Sequence, residues 1–235
     1  MQRTIIKLIP RPPFDLNLTA TYRCSYSQED GVDSYQDGIY TRIMFMDRQI
    51  LQTRTSSIGP PDNSVLRVEI TGDSLSRNTV NAMGESIGRI LGINTEVKKF
   101  YQVVSEDPQL APLCQRLYGL HSPRTLSIFE ALVTTIVGQQ VARAAAQAVR
   151  AALVLRYGYP ITWNGITYHA FPTPKSLARA GIKGLRNCNL SRRKAEYILE
   201  IAQAIEAGVL DLENFGILTP KEFEDQICTL RGVGL

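Results

Sequence analysis

In the first part of the chain, apolar and polar residues alternate in short runs. "TIIKLI" (Thr4 to Ile9) reads as a strand closed by Pro10, Pro12 and Pro13. "GIYTRIMFMD" and "RQILQTRTS" read as two strands around a tight Asp47-Arg48 turn. "SVLRVEITG" places Val65, Leu66, Val68 and Ile70 in a further strand ending at Gly72. From Asp73 the period lengthens. Val80, Met83, Ile87, Ile90 and Leu91 share one helical face, and Asp73 or Ser74 is available to cap its start. Strands followed by a helix predict an antiparallel sheet with one face covered.

Beyond residue 95 the pattern is almost wholly helical. "VKKFYQVVSED" and "PQLAPLCQRLYG" predict short helices. "TLSIFEALVTTIVGQQ" is apolar nearly all round, which marks a buried central helix. "VARAAAQAVRAALVLRYG" stops at Gly158, and "ITWNGITYH" carries an Asn-Gly hairpin signal. Thr173-Pro174 and Thr219-Pro220 open two later helices, the second presenting Phe223, Ile227 and Leu230. Between them a helix runs from a Ser191 cap to Gly208, with Ala195, Ile198, Leu199, Ala202 and Ile205 on one face. The predicted class is α+β, with a small antiparallel α/β domain over residues 1–95 and a helical domain over 96–235.

Composition adds limits. The 235 residues are 44% hydrophobic and 20% charged, which suits a globular chain with a real core. No apolar run approaches the ~20 residues of a membrane-spanning helix. The opening "MQRTIIKLIPRPP" is too short and too polar for a signal peptide, so a cytoplasmic location is expected. Cys24, Cys114, Cys188 and Cys228 lack C-x-x-C spacing and read as reduced thiols. A net charge of +4 is compatible with a nucleic-acid partner without requiring one.

The chain closes with "ICTLRGVGL", a helix running into Gly232-Val233-Gly234. Two glycines around one apolar residue let a helix-hairpin-helix turn approach a phosphate, with its N–H groups pointing outward. A plain glycine C-cap is the alternative.

The sequence resembles the helix-hairpin-helix DNA glycosylases, and within them the 3-methyladenine DNA glycosylase II type. The segments that carry the resemblance are "PPFDLNLTATY", "FEALVTTIVGQQV", "FPTPKSLARA", "LSRRKAEYILEIA" and "LRGVG", in that order. It implies a base-excision repair enzyme that flips an alkylated base from duplex DNA and hydrolyses its N-glycosidic bond. Gln140 would be the side chain that wedges into the emptied stack, and Gln139 would face the minor groove. The alternative is that both are polar residues that end a buried helix. Tyr22 would be a wall of the base pocket, or a core aromatic. Gly232, Val233 and Gly234 would form the phosphate-binding turn, where the carbonyls of Cys228, Leu230 and Val233 would hold a monovalent cation. Arg192, Arg193 and Lys194 would add positive charge nearby, or form a solvated helix start. No other cofactor is implied. The implied partner is double-stranded DNA containing damaged bases, and the protein would be a nucleoid-associated monomer.

The family's catalytic aspartate follows the hairpin, so its position lies past Leu235 and no acid in this chain corresponds to it. A C-terminally incomplete, inactive chain is therefore expected. Apolar surface should be bared at Phe223, Ile227 and Leu230 and on the central helix near Ile128, Leu132 and Ile136. A non-catalytic DNA-binding protein on the same scaffold and an 8-oxoguanine glycosylase/lyase are the competing readings.

Overall fold

The computed structural model describes residues 1–25, 31–163, 165–212, 215 and 218–234. The chain divides into two compact units between Leu126 and Ser127.

The first unit contains β1 (Gln2–Leu8), α1 (Leu16–Cys24), β2 (Asp33–Gln36), β3 (Ile39–Met46), β4 (Gln49–Ile58), β5 (Val65–Gly72), α2 (Arg77–Ile90), α3 (Lys98–Val104) and α4 (Ala111–Arg116). The five strands form one antiparallel sheet in the order β1-β5-β4-β3-β2. Asp47 and Arg48 have φ of 51° and 61°. These left-handed values suit a two-residue hairpin turn and set the β3–β4 register. That register puts Tyr40, Met44, Leu51, Val68 and Ile70 on one face, in a single core with Leu16 and Ala20 of α1 and Met83, Ile87 and Ile90 of α2. Four of the strands and α2 follow the sequence pattern; α1 and β2 do not emerge from it.

Polar residues share that buried face. Asp33 opposes Arg42 in the register, and its carboxylate accepts from Arg42 Nη1 at 2.8 Å, Arg23 Nη2 at 3.0 Å and the Tyr40 hydroxyl. Burial alone would raise the Asp33 pKa, but the two guanidiniums and the hydroxyl together hold it below the ordinary 3.8. Burial pushes the neighbouring Cys24 thiol up to about 12, as suits an inert core residue. On the opposite face Glu69 pairs with Arg3, and lies 4.0 Å from Arg54 and 3.9 Å from Arg67.

Two expectations for this unit change. The α2 cap is Ser76, whose hydroxyl accepts from Thr79 N at 3.1 Å, because Ser74 is held by both amide atoms of Gln49. The division also falls later than residue 95, since the segment after α4 returns to the sheet domain. There the Gly119 carbonyl accepts from Asp15 N at 2.7 Å, and Arg124 N donates to Ile90 O at 2.8 Å. His121, fully buried, sets its ring nitrogens 2.7 Å from Gly92 O and 2.9 Å from Pro13 O.

The second unit contains α5 (Ile128–Gly138), α6 (Arg143–Tyr157), the hairpin β6 (Tyr159–Trp163) and β7 (Ile166–Ala170), α7 (Pro174–Arg186), α8 (Arg192–Glu206) and α9 (Pro220–Ile227). Asn164 of the expected Asn-Gly turn lies outside the described residues; Gly165 has φ 77°. The Ser127 hydroxyl caps α5 by accepting from Glu130 N at 3.1 Å. The helix packs against α6 and α8 and buries Leu132, Val133 and Ile136. Buried Glu130 lies 3.4 Å from Arg150 of α6. α9 stops at Ile227, short of Leu230, because Thr229 and Leu230 donate back only three residues and tighten the last turn.

The expected bare apolar surface is not observed. Leu132 and Ile136 are 6% and 0% exposed because α6 and α8 cover α5, and Ile227 is buried as well. Ile128 and Leu230 are half-buried. Only Phe223 stands out, at 37%, with its ring edge-on to Phe215.

Asp33→Asn is expected to destabilise the first unit by about 3–5 kcal/mol, because it leaves two buried guanidiniums under-compensated. The folded pKa of Asp33 is depressed, so its contribution is full above the unfolded value and is lost as pH falls below about 4. Denaturant titrations across that range should show a shallower acid-side loss of stability in the variant than in the parent.

Candidate nucleic-acid interface

The C-terminal end of α5 meets the N-terminal half of α8. After Gly138 the chain leaves the helix: Gln139 is extended (φ −60°, ψ 130°) and exposed Gln140 is left-handed, with φ 54°. The last carbonyls of a helix lack intrahelical donors. Here the Lys194 ammonium donates to Val137 O at 2.8 Å and to Gln139 O at 2.7 Å. A cation is also favoured at this end of the helix dipole. Burial lowers the Lys194 pKa below the usual lysine value.

One turn along α8, the Tyr197 ring backs the C-terminal turn. Gly232 has φ 86°, and a Cβ there would sit 2.2 Å from Tyr197 Cδ2. Glycine is thus required twice over, by backbone conformation and by space. The Arg231 guanidinium lies 5.2 Å from the same ring centroid and pairs with Glu200. The circuit closes when Gln139 Nε2 donates to Gly232 O at 2.8 Å.

The structure therefore joins Gln139, Gln140 and the turn of Gly232, Val233 and Gly234 into one constellation. Gly234 is exposed, and nothing lies within 4 Å of a Cβ placed on it, so the second glycine is not demanded by space. Leu230 O accepts from Val233 N at 3.1 Å, and Cys228 is the C-cap of α9. Tyr22 belongs to the first unit, on α1, and is 46% exposed, so it is not a core aromatic. In the "SRRK" stretch Arg192 pairs with Glu196 at 2.9 Å, Arg193 is exposed, and Lys194 turns inward. Sequence reading missed Tyr197, Glu200 and Arg231. The spacing of Tyr197 and Glu200 on α8 shows a helical face but not what that face supports, and Arg231 lies beyond α9.

Beside the 139–142 loop lies a hollow of about 490 Å³, lined by apolar Val137, Val149 and Leu190 and by polar Gln140, Asn189 and Lys194. No carboxylate among the described residues lines it. The buried acids among the described residues are committed elsewhere: Asp33 to Arg23 and Arg42, Glu69 to Arg3, and Glu130 to Arg150. Among the described residues no cluster of His, Cys, Asp or Glu is suited to hold a metal ion.

Residues 133–229 match the family model of the HhH-GPD superfamily base excision DNA repair proteins. The DNA-3-methyladenine glycosylase of Bacillus subtilis is 30% identical over 142 residues, which is 60% of this chain and 47% of that protein. The chain spans less than half the length of the curated relatives it matches. The fold is shared with the 3-methyladenine DNA-glycosylase of Archaeoglobus fulgidus, at a TM-score of 0.82 and 24% identity over 97% of this chain and 75% of the other. It is also shared with the Clostridium acetobutylicum 8-oxoguanine glycosylase/lyase in complex with double-stranded DNA, at 0.71 and 18% over 98% and 74%. The matched segment contains the end of α5 and the whole of α8, the two elements that organise the constellation, so the likeness to the HhH-GPD superfamily base excision DNA repair proteins falls on the residues that build it.

Proposed function

We propose that this chain serves a base-excision DNA glycosylase of the 3-methyladenine type, gripping duplex DNA through the 230–234 turn and probing it with the 139–142 loop. The observation that carries this reading is the Gln139 Nε2 to Gly232 O bond, which ties the two loops into one surface. Gln140, exposed and left-handed beside that bond, is the side chain proposed to enter the stack when a base leaves it. A carboxamide fills such a gap and also hydrogen-bonds the base left unpaired. The turn around Gly232 brings backbone close to one strand and contacts phosphate without reading sequence. Tyr22 of the first unit is an exposed aromatic proposed as a stacking surface; a methylated purine carries positive charge, which favours such stacking.

Carbonyl oxygens suit a hard monovalent cation, and Leu230 O keeps a lone pair after accepting Val233 N–H. Cys228, Leu230 and Val233 would hold such an ion, which would supply positive charge against the bound phosphate. The carboxylate that stabilises the sugar cation during hydrolysis is assigned to none of the buried acids, since their guanidinium partners already neutralise them.

Anisotropy titrations with an intact duplex and with a duplex carrying an abasic-site analogue test the reading. Steep salt dependence and a preference for the abasic duplex are expected. Gln140→Ala should remove about five- to tenfold of that preference, roughly 1–1.4 kcal/mol, with little change on intact DNA. Equal losses on the two duplexes would return Gln140 to the role of a helix-end residue.

Gly232→Ala and Gly234→Ala separate the turn from the probe. The first forces a Cβ against Tyr197 in a left-handed conformation and should weaken both duplexes alike, by about tenfold. The second meets open space and should stay within about twofold of the parent. Equal tolerance of the two substitutions would count against the turn as the phosphate contact.

A further inference from the structure

We propose that Lys194 is a positioning residue for the probing loop: by capping the end of α5 it sets the direction in which Gln140 leaves the helix, and it makes no DNA contact of its own. The proposal rests on the DNA reading above.

Three observations support it. Both short bonds of the Lys194 ammonium go to backbone carbonyls, Val137 O and Gln139 O, on either side of the point where α5 stops. A cation spent on two carbonyls in a part-buried site is poorly placed to neutralise a phosphate, unlike exposed Arg193. Gln140, next in the chain, holds a left-handed φ of 54° that an L side chain adopts only when its surroundings impose it. The mount is rigid, because Lys194 is in the first turn of α8, whose start is fixed by the Ser191 hydroxyl accepting from Lys194 N at 3.3 Å. The same helix sets Tyr197 against Gly232, so α8 fixes the spacing between probe and turn. Losing the ammonium should loosen the probe and leave the turn in place.

Charge and reach distinguish positioning from direct binding. A lysine that neutralises a phosphate contributes about one unit to the slope of log affinity against log salt. A lysine that works through Gln140 contributes none, and its loss is not additive with the loss of Gln140.

The experiment uses the full 235-residue chain as parent, Lys194→Met, Lys194→Arg, Gln140→Ala and the Met/Ala double variant. Each is titrated over a salt series with the intact and abasic duplexes, and amide exchange is followed without DNA. Lys194→Met is expected to speed exchange at residues 139–142 while protection in α8 and at 230–234 is unchanged. It should lose as much abasic preference as Gln140→Ala, with an unaltered salt slope. The double variant should be no worse than Gln140→Ala, and Lys194→Arg should regain most of the preference. A salt slope reduced by about one, additive losses in the double variant, or unchanged exchange at 139–142 would each overturn the proposal. If the parent itself shows no abasic preference, the DNA reading falls and this inference with it. If the parent shows that preference and Lys194→Met keeps it, the inference alone fails.

Discussion

A helix that ends inside a protein must find donors for its last carbonyls, and in the second unit that requirement is met by one ammonium. Lys194 reaches Val137 O and Gln139 O from α8, and the geometry of the proposed DNA surface follows from those two bonds. They fix where α5 stops and so where Gln140 starts. They also bring Gln139 to the point where its carboxamide meets Gly232 O. Charge-assisted bonds of this kind are directional and are strengthened by partial burial, so a short loop stays ordered without a core of its own.

α8 is the organising element because its two faces do different work. Ala195, Ile198, Leu199 and Ala202 are buried, while Lys194, Tyr197 and Glu200 reach the loop and the turn. The apolar face fixes the helix; the other face uses that rigidity. A functional surface built from backbone turns depends on such support, since turns contribute little buried area themselves.

The first unit solves a different problem with similar means. Its sheet carries charge on the buried face, and the β2–β3 register sets Asp33 opposite Arg42 so that each compensates the other. Arg23 of α1 joins the same carboxylate. This buried network fixes β2 and α1 where the hydrophobic pattern alone would specify them weakly, which is why neither element emerged from periodicity.

The sequence by itself determined the antiparallel strands, the buried central helix, the Thr-Pro and Ser caps, and the turn at Gly232. Each of these follows from local chemistry: side-chain period, capping oxygens, or a residue without a Cβ. Only the tertiary structure decided what depends on distant segments meeting. That includes the return of residues 117–124 to the sheet domain, the cap at Ser76 once Gln49 had engaged Ser74, and the covering of Leu132 and Ile136. It also includes the inward turn of Lys194, which in the sequence reads as the third charge of a basic stretch. Its role appears only when α8 packs on α5, because hydrogen bonds to backbone carbonyls leave no residue-type signature at the accepting end.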